Sequence, residues 1–158
     1  MSEVIDLETG RNFINQQIAR EIDEEHDFSS LVINTSLDAI IAFDRNFRYT
    51  VFNPAAEKFH GVRREGVIGR CMFDVFPFSQ DPKLKSQVKE TLHGRSEVGE
   101  TMRVHPDGEI EYTRVSRIPL RDEFGEVVGG LVILRDITYE RKLERIVRSR
   151  NDPATECR

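Results

Sequence analysis

The chain has 158 residues, of which 38% are hydrophobic and 32% are charged, and its net charge at pH 7 is −5. This length allows one domain with flanking segments, and it can bury a core without disulfides. The acidic balance disfavours direct nucleic-acid binding, which needs a clustered basic surface. Two cysteines form no disulfide framework, and no apolar run reaches the length of a membrane span. We therefore expect a cytoplasmic protein.

The N-terminal segment carries one apolar stripe on an acidic background. Ile14, Ile18 and Ile22 recur every four residues, which predicts a helix over Thr9–Glu25. Acidic residues outnumber basic ones over residues 1–30. The stripe is suited to packing against another helix or a sheet, and we expect it to support homodimerisation. The alternative is a solvated leader that packs against nothing.

A second short helix is predicted over Phe28–Leu37, with a polar cap at Asp27 or Ser29. The pattern then changes to two β-rich stretches, Ala39–Phe43 and Arg48–Phe52. Between them lies the sequence Asp-Arg-Asn, which favours a tight turn. These features together predict a β-hairpin.

Helical signals follow the hairpin. Asn53 and Pro54 have the chemistry of a helix start, and Gly61 that of a helix end. After several short turns, the segment Pro82–Leu92 has apolar residues at four-residue intervals and predicts a longer helix.

The remaining chain favours strands and a final helix. Strands are predicted over Val98–His105, Ile110–Leu120 and Val127–Leu134, the last of them central and buried on both faces. A basic helix is predicted over Tyr139–Arg150. Runs of strands separated from runs of helices indicate an α+β fold, with an antiparallel sheet and helices on one face.

Three segments in this order resemble the PAS domain family. They are SLDAIIAFDRNFRYTVFNPAAEKFHGV, REGVIGR and HPDGEIEYTRVSRIPLRDEFGEVVGGLVILRDIT, and the resemblance covers roughly Phe28–Arg141. It implies a five-stranded antiparallel sheet with helices on one face, enclosing a small cavity. Such domains sense ligands or redox state, or dimerise, in sensor kinases and transcription regulators. The resemblance also implies that signals leave through Asp136, Ile137 and Thr138 into a C-terminal helix.

These observations divide the chain into three parts. Residues 1–27 form an acidic dimerisation or linker helix, residues 28–138 the PAS domain, and residues 139–158 a basic signalling helix with a frayed tail. In the junction, Arg135, Asp136 and Arg141 are close enough in sequence to form local ion pairs that would fix the exit angle of the helix.

Haem is disfavoured as a cofactor. Haem-binding PAS domains place an axial histidine in the middle of the long helix, and residues 84–88 contain none. All four histidines, His26, His60, His93 and His105, are expected at the surface.

A flavin adduct is disfavoured by the position of Cys71. Blue-light PAS domains carry Asn-Cys-Arg-Phe-Leu-Gln, whereas this chain has Gly-Arg-Cys-Met-Phe-Asp over residues 69–74. The cysteine is shifted by one residue, which turns a helical side chain by about 100°. Cys71 is expected to be a small packing residue, with a redox role as the alternative.

No histidines or cysteines stand at metal-ligand spacing, and nothing in the sequence assembles a catalytic group. We expect neither a metal site nor enzymatic activity. An apolar pocket for a small organic ligand remains. The predicted pocket residues are Phe73, Phe76, Leu84, Val88, Met102, Arg103, Tyr112, Arg114 and Val132.

The two arginines in that set decide the ligand class. If Arg103 or Arg114 points inward, it needs an anionic partner, and a carboxylate ligand would supply one. The alternative is that both lie on the outer face around a filled core. We therefore expect a sensory and dimerisation module with an effector elsewhere. The alternatives are a ligand-free homodimer scaffold and a Cys71 redox switch.

Overall fold

A computed structural model describes residues 7–150 of the chain. Its helices are α1 (Leu7–Thr35), α2 (Pro54–His60), α3 (Met72–Val75), α4 (Pro82–Leu92) and α5 (Thr138–Arg150). Its strands are β1 (Ala39–Asp44), β2 (Tyr49–Phe52), β3 (Glu97–Val104), β4 (Ile110–Arg121) and β5 (Val127–Asp136). Single 3₁₀ turns span Arg64–Gly66 and Pro77–Gln80. The chain divides into two compact units at Ser36 and Leu37.

The first unit contains one continuous helix, α1, instead of the two helices predicted over Thr9–Glu25 and Phe28–Leu37. Neither glycine nor proline lies between these segments, so nothing interrupts the backbone hydrogen bonds at Asp27. The helix ends at Thr35 and the second unit begins at Leu37, so the division falls after the predicted boundary at residue 28.

The second unit is built on a five-stranded sheet of order β2-β1-β5-β4-β3 in which every neighbouring pair is antiparallel. The predicted α+β fold is confirmed, and β5 is the central strand as expected. It is not buried on both faces throughout, because Val128 is half exposed. The strand β3 lies at one edge and pairs only with β4 within the described sheet.

One face of the sheet packs against the helical side of the domain. Aromatic and aliphatic side chains from both layers form one apolar cluster; its most buried members are Phe43, Phe52, Ala56, Val67 and Val88. We call this the inner face of the sheet, and the opposite one the outer face.

Local chemistry sets the bounds of α2. The Asn53 side chain accepts a hydrogen bond from the Ala56 amide at 2.9 Å, and Pro54 occupies the first turn. At the other end Gly61 has φ +68°, a left-handed conformation that favours glycine. Over the described residues 7–150, no helix combines the length and apolar character needed to cross a bilayer.

Candidate functional site: a cavity with a buried arginine

A cavity of about 520 Å³ lies between the inner face of the sheet and the helices. Apolar side chains form part of its wall, namely Ile41, Phe59, Met72, Leu84, Val88, Val115, Val132 and Leu134. Polar side chains interrupt this wall, among them Tyr49, His60, Gln87, Glu97, Thr101, Arg103, Thr113 and Arg117. An apolar enclosure with a few placed polar groups is the usual form of a small-molecule site.

The pairing of β3 with β4 determines which side chains reach the cavity. Glu97 pairs with Arg117, and Thr101 pairs with Thr113. Directly opposed residues of an antiparallel pair point to the same face, and alternate residues share that face. The odd-numbered residues from Glu97 to Arg103 and from Thr113 to Arg117 therefore face inward.

Four predicted pocket residues lie at the cavity wall: Leu84, Val88, Arg103 and Val132. Val88 and Val132 are buried, and they approach the cavity from α4 and β5 respectively. Leu84 lies one turn before Val88 on α4, so the four-residue spacing places both on the side that packs on the core.

Phe73 and Phe76 lie in the apolar cluster beside the cavity, not in its wall. The Phe76 ring stacks on the His60 ring with centroids 4.8 Å apart. The Phe73 ring contacts Phe47 at 5.0 Å and lies beneath the Lys85 ammonium.

Met102, Tyr112 and Arg114 lie on the outer face of the sheet, which corrects their predicted place in the pocket. Each is one position away from an inward residue, and a shift of one residue reverses the face. Met102 is 60% exposed. Arg114 pairs with Glu100 at 3.3 Å and approaches Glu140 at 4.0 Å, so its charge is balanced outside the cavity.

The buried cation of the cavity is Arg117, which the sequence analysis missed. Arg117 is 8% exposed, and its guanidinium lies 3.4 Å from a Glu97 oxygen. Burial lowers the pKa of Arg117, and the Glu97 charge opposes that effect. Its inward direction could have been inferred from the sequence, because Arg117 follows the apolar Val115 by two residues and alternate strand residues point to the same face.

Arg103 occupies the opposite end of the cavity. Its guanidinium lies over the Phe59 ring, 5.7 Å from the centroid. Arg103 pairs with Glu111, six residues before Arg117 on β4. At a rise of about 3.4 Å per residue, the two arginine backbones are roughly 20 Å apart. The two arginines therefore start from well-separated positions of the cavity wall.

His60 is not the surface residue that we expected. Its ring packs among aromatic side chains, with Phe76 at 4.8 Å and Phe78 at 5.7 Å, both stacked. Burial, with a smaller effect of the Arg103 charge, lowers the pKa of His60 to about 4. At neutral pH the ring is uncharged, so it adds no cation to the wall.

Tyr49 and Cys71 lie near each other at the β2 end of the cavity. Tyr49 is 4% exposed, and burial, followed by the nearby Cys71, raises the pKa of its hydroxyl. The phenol therefore stays protonated and can donate a hydrogen bond. Cys71 is half-buried and immediately precedes α3.

The junction between β5 and α5 is tied to β4 at one residue, Tyr112. The Ile137 amide donates to the Tyr112 carbonyl at 2.9 Å, and the Tyr112 amide donates to the Thr138 hydroxyl at 2.9 Å. Ile137 is 1% exposed. Asp136 accepts a hydrogen bond from the Thr138 amide at 2.8 Å. The three predicted output residues thus form one hydrogen-bonded corner.

The ion pairs predicted inside that junction connect to other elements instead. Arg135 pairs at 2.7 Å with Asp38, the residue that immediately precedes β1. Arg141 pairs with Glu100 on β3 and with Glu144 on α5. The Asp136 carboxylate accepts a hydrogen bond from the Thr138 amide, and Arg135 and Arg141 pair with other carboxylates.

Comparison with known proteins identifies similar domains. Residues 33–142 match the family model described as PAS fold. The chain is 32% identical over 130 residues to the signal transduction histidine-protein kinase AtoS of Escherichia coli K12, covering 81% of this chain and 21% of AtoS. It is 30% identical over 114 residues to the sensor protein kinase WalK of Staphylococcus aureus Newman, covering 72% of this chain and 18% of WalK. The chain therefore spans about a fifth of these relatives.

A solved structure shows the same fold. The PAS domain of BvgS from Bordetella pertussis aligns with a TM-score of 0.58 at 22% identity, covering 83% of this chain and 98% of that one. The match to each kinase is confined to about a fifth of its length.

Proposed function

The chain belongs to the PAS family and is a sensory module of signal transduction, and on this premise we propose that it binds a small organic ligand in its cavity. The observation that carries the proposal is the 520 Å³ cavity, with Arg117 in its wall at 8% exposure. A buried guanidinium whose one protein carboxylate is held at 3.4 Å favours an anionic ligand, and a carboxylate fits its planar donors.

The proposed output passes through the corner formed by Asp136, Ile137 and Thr138. The strand β5 supplies Val132 and Leu134 to the cavity wall and then runs directly into this corner. A ligand that changes the twist of β5 would move Ile137, which is fully buried, and with it the start of α5. The effector would be a kinase or regulator domain, as in the sensor kinases that the chain resembles.

We further propose that the module has no enzymatic activity, haem, flavin or metal, no direct contact with nucleic acid, and a cytoplasmic location. The polar groups of the cavity, such as Thr101 and Thr113, are suited to orienting a ligand.

Native mass spectrometry of the purified full chain tests ligand binding. We expect an added small mass in the wild-type protein that Leu84→Trp abolishes, because the indole would project from α4 into the cavity and obstruct the ligand. Val128→Trp is the matched control, since Val128 is half exposed and outside the wall. An added mass retained by Leu84→Trp, or none in wild type, would count against a ligand in this cavity.

The second candidate is a homodimer scaffold without a ligand. Ile14, Ile18 and Ile22 are each about half exposed on α1, at the four-residue spacing of an apolar seam. We propose that this seam mediates dimerisation in either case. Ile18→Lys should convert a dimer to a monomer in light scattering, whereas Gln17→Lys should not. The scaffold is favoured if dimers form and no ligand mass is found.

A redox switch at Cys71 is the third candidate. Its proximity to Tyr49 makes the phenol a reporter of the thiol's state. If the switch operates, titration with an oxidant should change the tyrosine fluorescence of the wild-type protein. The fluorescence of Cys71→Ser should stay constant. Identical responses of the two proteins would exclude it.

A further inference from the structure

The contact between Arg117 and Glu97 is long for an ion pair between a buried arginine and a half-exposed glutamate. Their closest atoms, Arg117 Nη1 and Glu97 Oε2, are 3.4 Å apart. Charge-assisted hydrogen bonds of this type are usually about 2.7–2.9 Å long. Within the described chain this is the one side-chain hydrogen bond that Arg117 makes, although a guanidinium carries five donors. Arg117 therefore retains unused hydrogen-bonding capacity.

The unused donors of Arg117 open onto the cavity. Arg117 is part of the wall, and its side chain is only 10% exposed. Across residues 11–150, no fully buried side-chain nitrogen or oxygen lacks a hydrogen-bond partner. Any guanidinium nitrogen of Arg117 without a protein partner is therefore still accessible, and we infer that it is reached from the cavity that Arg117 lines.

Taking ligand binding in this cavity as given, we propose that Arg117 anchors the carboxylate of the ligand and that Glu97 is the internal carboxylate it displaces. The two compete for Arg117 Nη1, because a carboxylate bound end-on takes both Nη1 and Nη2 and Glu97 already contacts Nη1. Arg103 is engaged elsewhere, since its guanidinium lies over the Phe59 ring and its backbone is roughly 20 Å from that of Arg117 along the sheet.

Glu97 can leave at low cost, whereas Arg117 cannot. The Glu97 side chain is 44% exposed on the edge strand β3, so its displaced carboxylate is received by water. Arg117 lies on β4, between β3 and β5, and stays buried. An unpaired buried charge is costly, and a hydrated one is not. The asymmetry makes Glu97 the partner that exchanges.

The same exchange breaks a link between α4 and β3. The Gln87 amide on α4 donates to Glu97 Oε1 at 2.8 Å, so Glu97 joins both Arg117 and α4. A ligand carboxylate that displaces Glu97 from Arg117 breaks this connection between α4 and Arg117. Binding is therefore coupled to the position of the edge strand relative to α4.

The wall around Arg117 defines the rest of the ligand. Val132 is its neighbour on β5 in the pairing register, and Ile41 is the next residue across the sheet. Val115 and Val88 complete an apolar surface. The ligand class is therefore a compact monocarboxylate with an apolar body.

Benzoate and its neutral analogue benzamide are matched probes, because they share one ring and differ in charge. Binding to the full chain is followed by NMR at the Nε–H groups of Arg117 and Arg103. Glu97→Gln removes the competing charge and should tighten benzoate binding at least about tenfold, the equivalent of one charge-assisted hydrogen bond. Benzamide binding should be unchanged.

Two further variants separate the anchor from a general charge effect. Arg117→Met keeps an apolar stem and should abolish the preference for benzoate over benzamide. Glu109→Gln, an exposed residue of the β3–β4 turn, should behave as wild type. The melting temperature of each variant verifies that it is folded.

Equal benzoate affinity in wild type and Glu97→Gln, or no benzoate binding in either, would overturn the anchor. A benzoate-induced shift at Arg103 but not at Arg117 would also overturn it. These outcomes leave the proposed function intact if native protein carries a mass that Leu84→Trp removes. If native mass spectrometry finds no added mass but Glu97→Gln still binds benzoate about tenfold more tightly, the natural ligand is rejected and the anion site is retained.

Discussion

The carboxylate of Glu100 on β3 accepts hydrogen bonds from two nitrogens of Arg141 on α5, a residue 41 positions later in the chain. The Nε atom is 3.0 Å from Oε2. Arg114 adds a third nitrogen to the same carboxylate at 3.3 Å. Glu100 lies between Gly99 and Thr101, two residues of the cavity wall. One short segment of β3 therefore contacts the cavity on one face and the output helix on the other.

Removing the Glu100 charge should loosen α5 without unfolding the domain. In Glu100→Gln we expect amide hydrogen exchange in α5 to accelerate about two- to fivefold, the range of a partly exposed ion pair. Exchange in β5 should stay constant, because its ladder does not involve this side chain. Glu123→Gln, an exposed residue of the β4–β5 turn, is the matched control.

The same attachment should depend on pH. The Arg141 hydrogen bond, aided by Arg114, lowers the pKa of Glu100, so the folded protein holds this carboxylate ionised more readily than the unfolded chain does. The stabilisation is present above the ordinary carboxyl pKa and is lost as the pH falls through the lower, folded value. An acid-induced fall in the protection factors of α5 that is equal in wild type and Glu100→Gln would contradict this assignment.

Gly130 lies against the most buried aromatic ring of the core. A Cβ atom at this position would lie 2.3 Å from the Phe43 ring, and Phe43 is 1% exposed. We expect Gly130→Ala to lower the free energy of unfolding by about 1–3 kcal/mol, measured by urea denaturation, because the packed ring must shift.

Gly99→Ala is the control for that change, since Gly99 is also a strand glycine and a Cβ there meets no atom within 4 Å. It should be neutral or slightly stabilising through reduced freedom of the unfolded chain. Similar losses for the two variants would show that strand flexibility, not contact with Phe43, sets the effect.

The start of α2 was predictable because its signals are local. Asn53, Pro54 and Gly61 act within a few residues of themselves, and each has the predicted role. Which residues of β4 point to the inner face of the sheet was not predictable in this way. Both faces of this strand carry polar side chains, with Tyr112 and Arg114 on one face and Thr113 and Arg117 on the other. Neither face is therefore distinctly apolar.

The interior place of His60 depended on distant residues. It comes next to Gly61 at the end of α2, a position that is usually solvated. Phe76 and Phe78, which stack on its ring, are 16 and 18 positions away and approach through α3 and the 3₁₀ turn that follows it. No local pattern encodes that approach, because it results from the packing of several short helices on the sheet.

Asn53 should be among the polar residues most important for stability. It is 1% exposed, and its Oδ1 atom accepts from the amides of Ile40 and Ala56, both at 2.9 Å. Its Nδ2 atom donates to the Asp38 carbonyl at 3.0 Å. The side chain therefore joins β1 to the start of α2.

Asn53→Ala removes the cap and leaves buried backbone groups without partners. We expect the free energy of unfolding to fall by about 2–4 kcal/mol in urea denaturation. Asn46→Ala, in the exposed β1–β2 turn, is the matched control and should cost far less. Equal costs for the two asparagines would mean that the Ile40 and Asp38 hydrogen bonds contribute little.

His60 should make the domain less stable in mild acid. Burial and Arg103 lower the pKa of His60 to about 4, while the unfolded chain has an ordinary value near 6.5. Between these values the unfolded state binds the proton and the folded state does not. Stability should therefore be full above about pH 6.5 and should fall as the pH drops toward 4.

The variant His60→Phe keeps a ring against Phe76 and Phe78 and removes the titrating group. Its urea midpoint should lose the part of the acid dependence that wild type shows between pH 6.5 and 4. His26→Phe, an exposed change on α1, should retain the wild-type profile. An NMR titration that places the His60 pKa near its ordinary value would contradict the burial argument, because a solvated imidazole would gain its proton equally in both states.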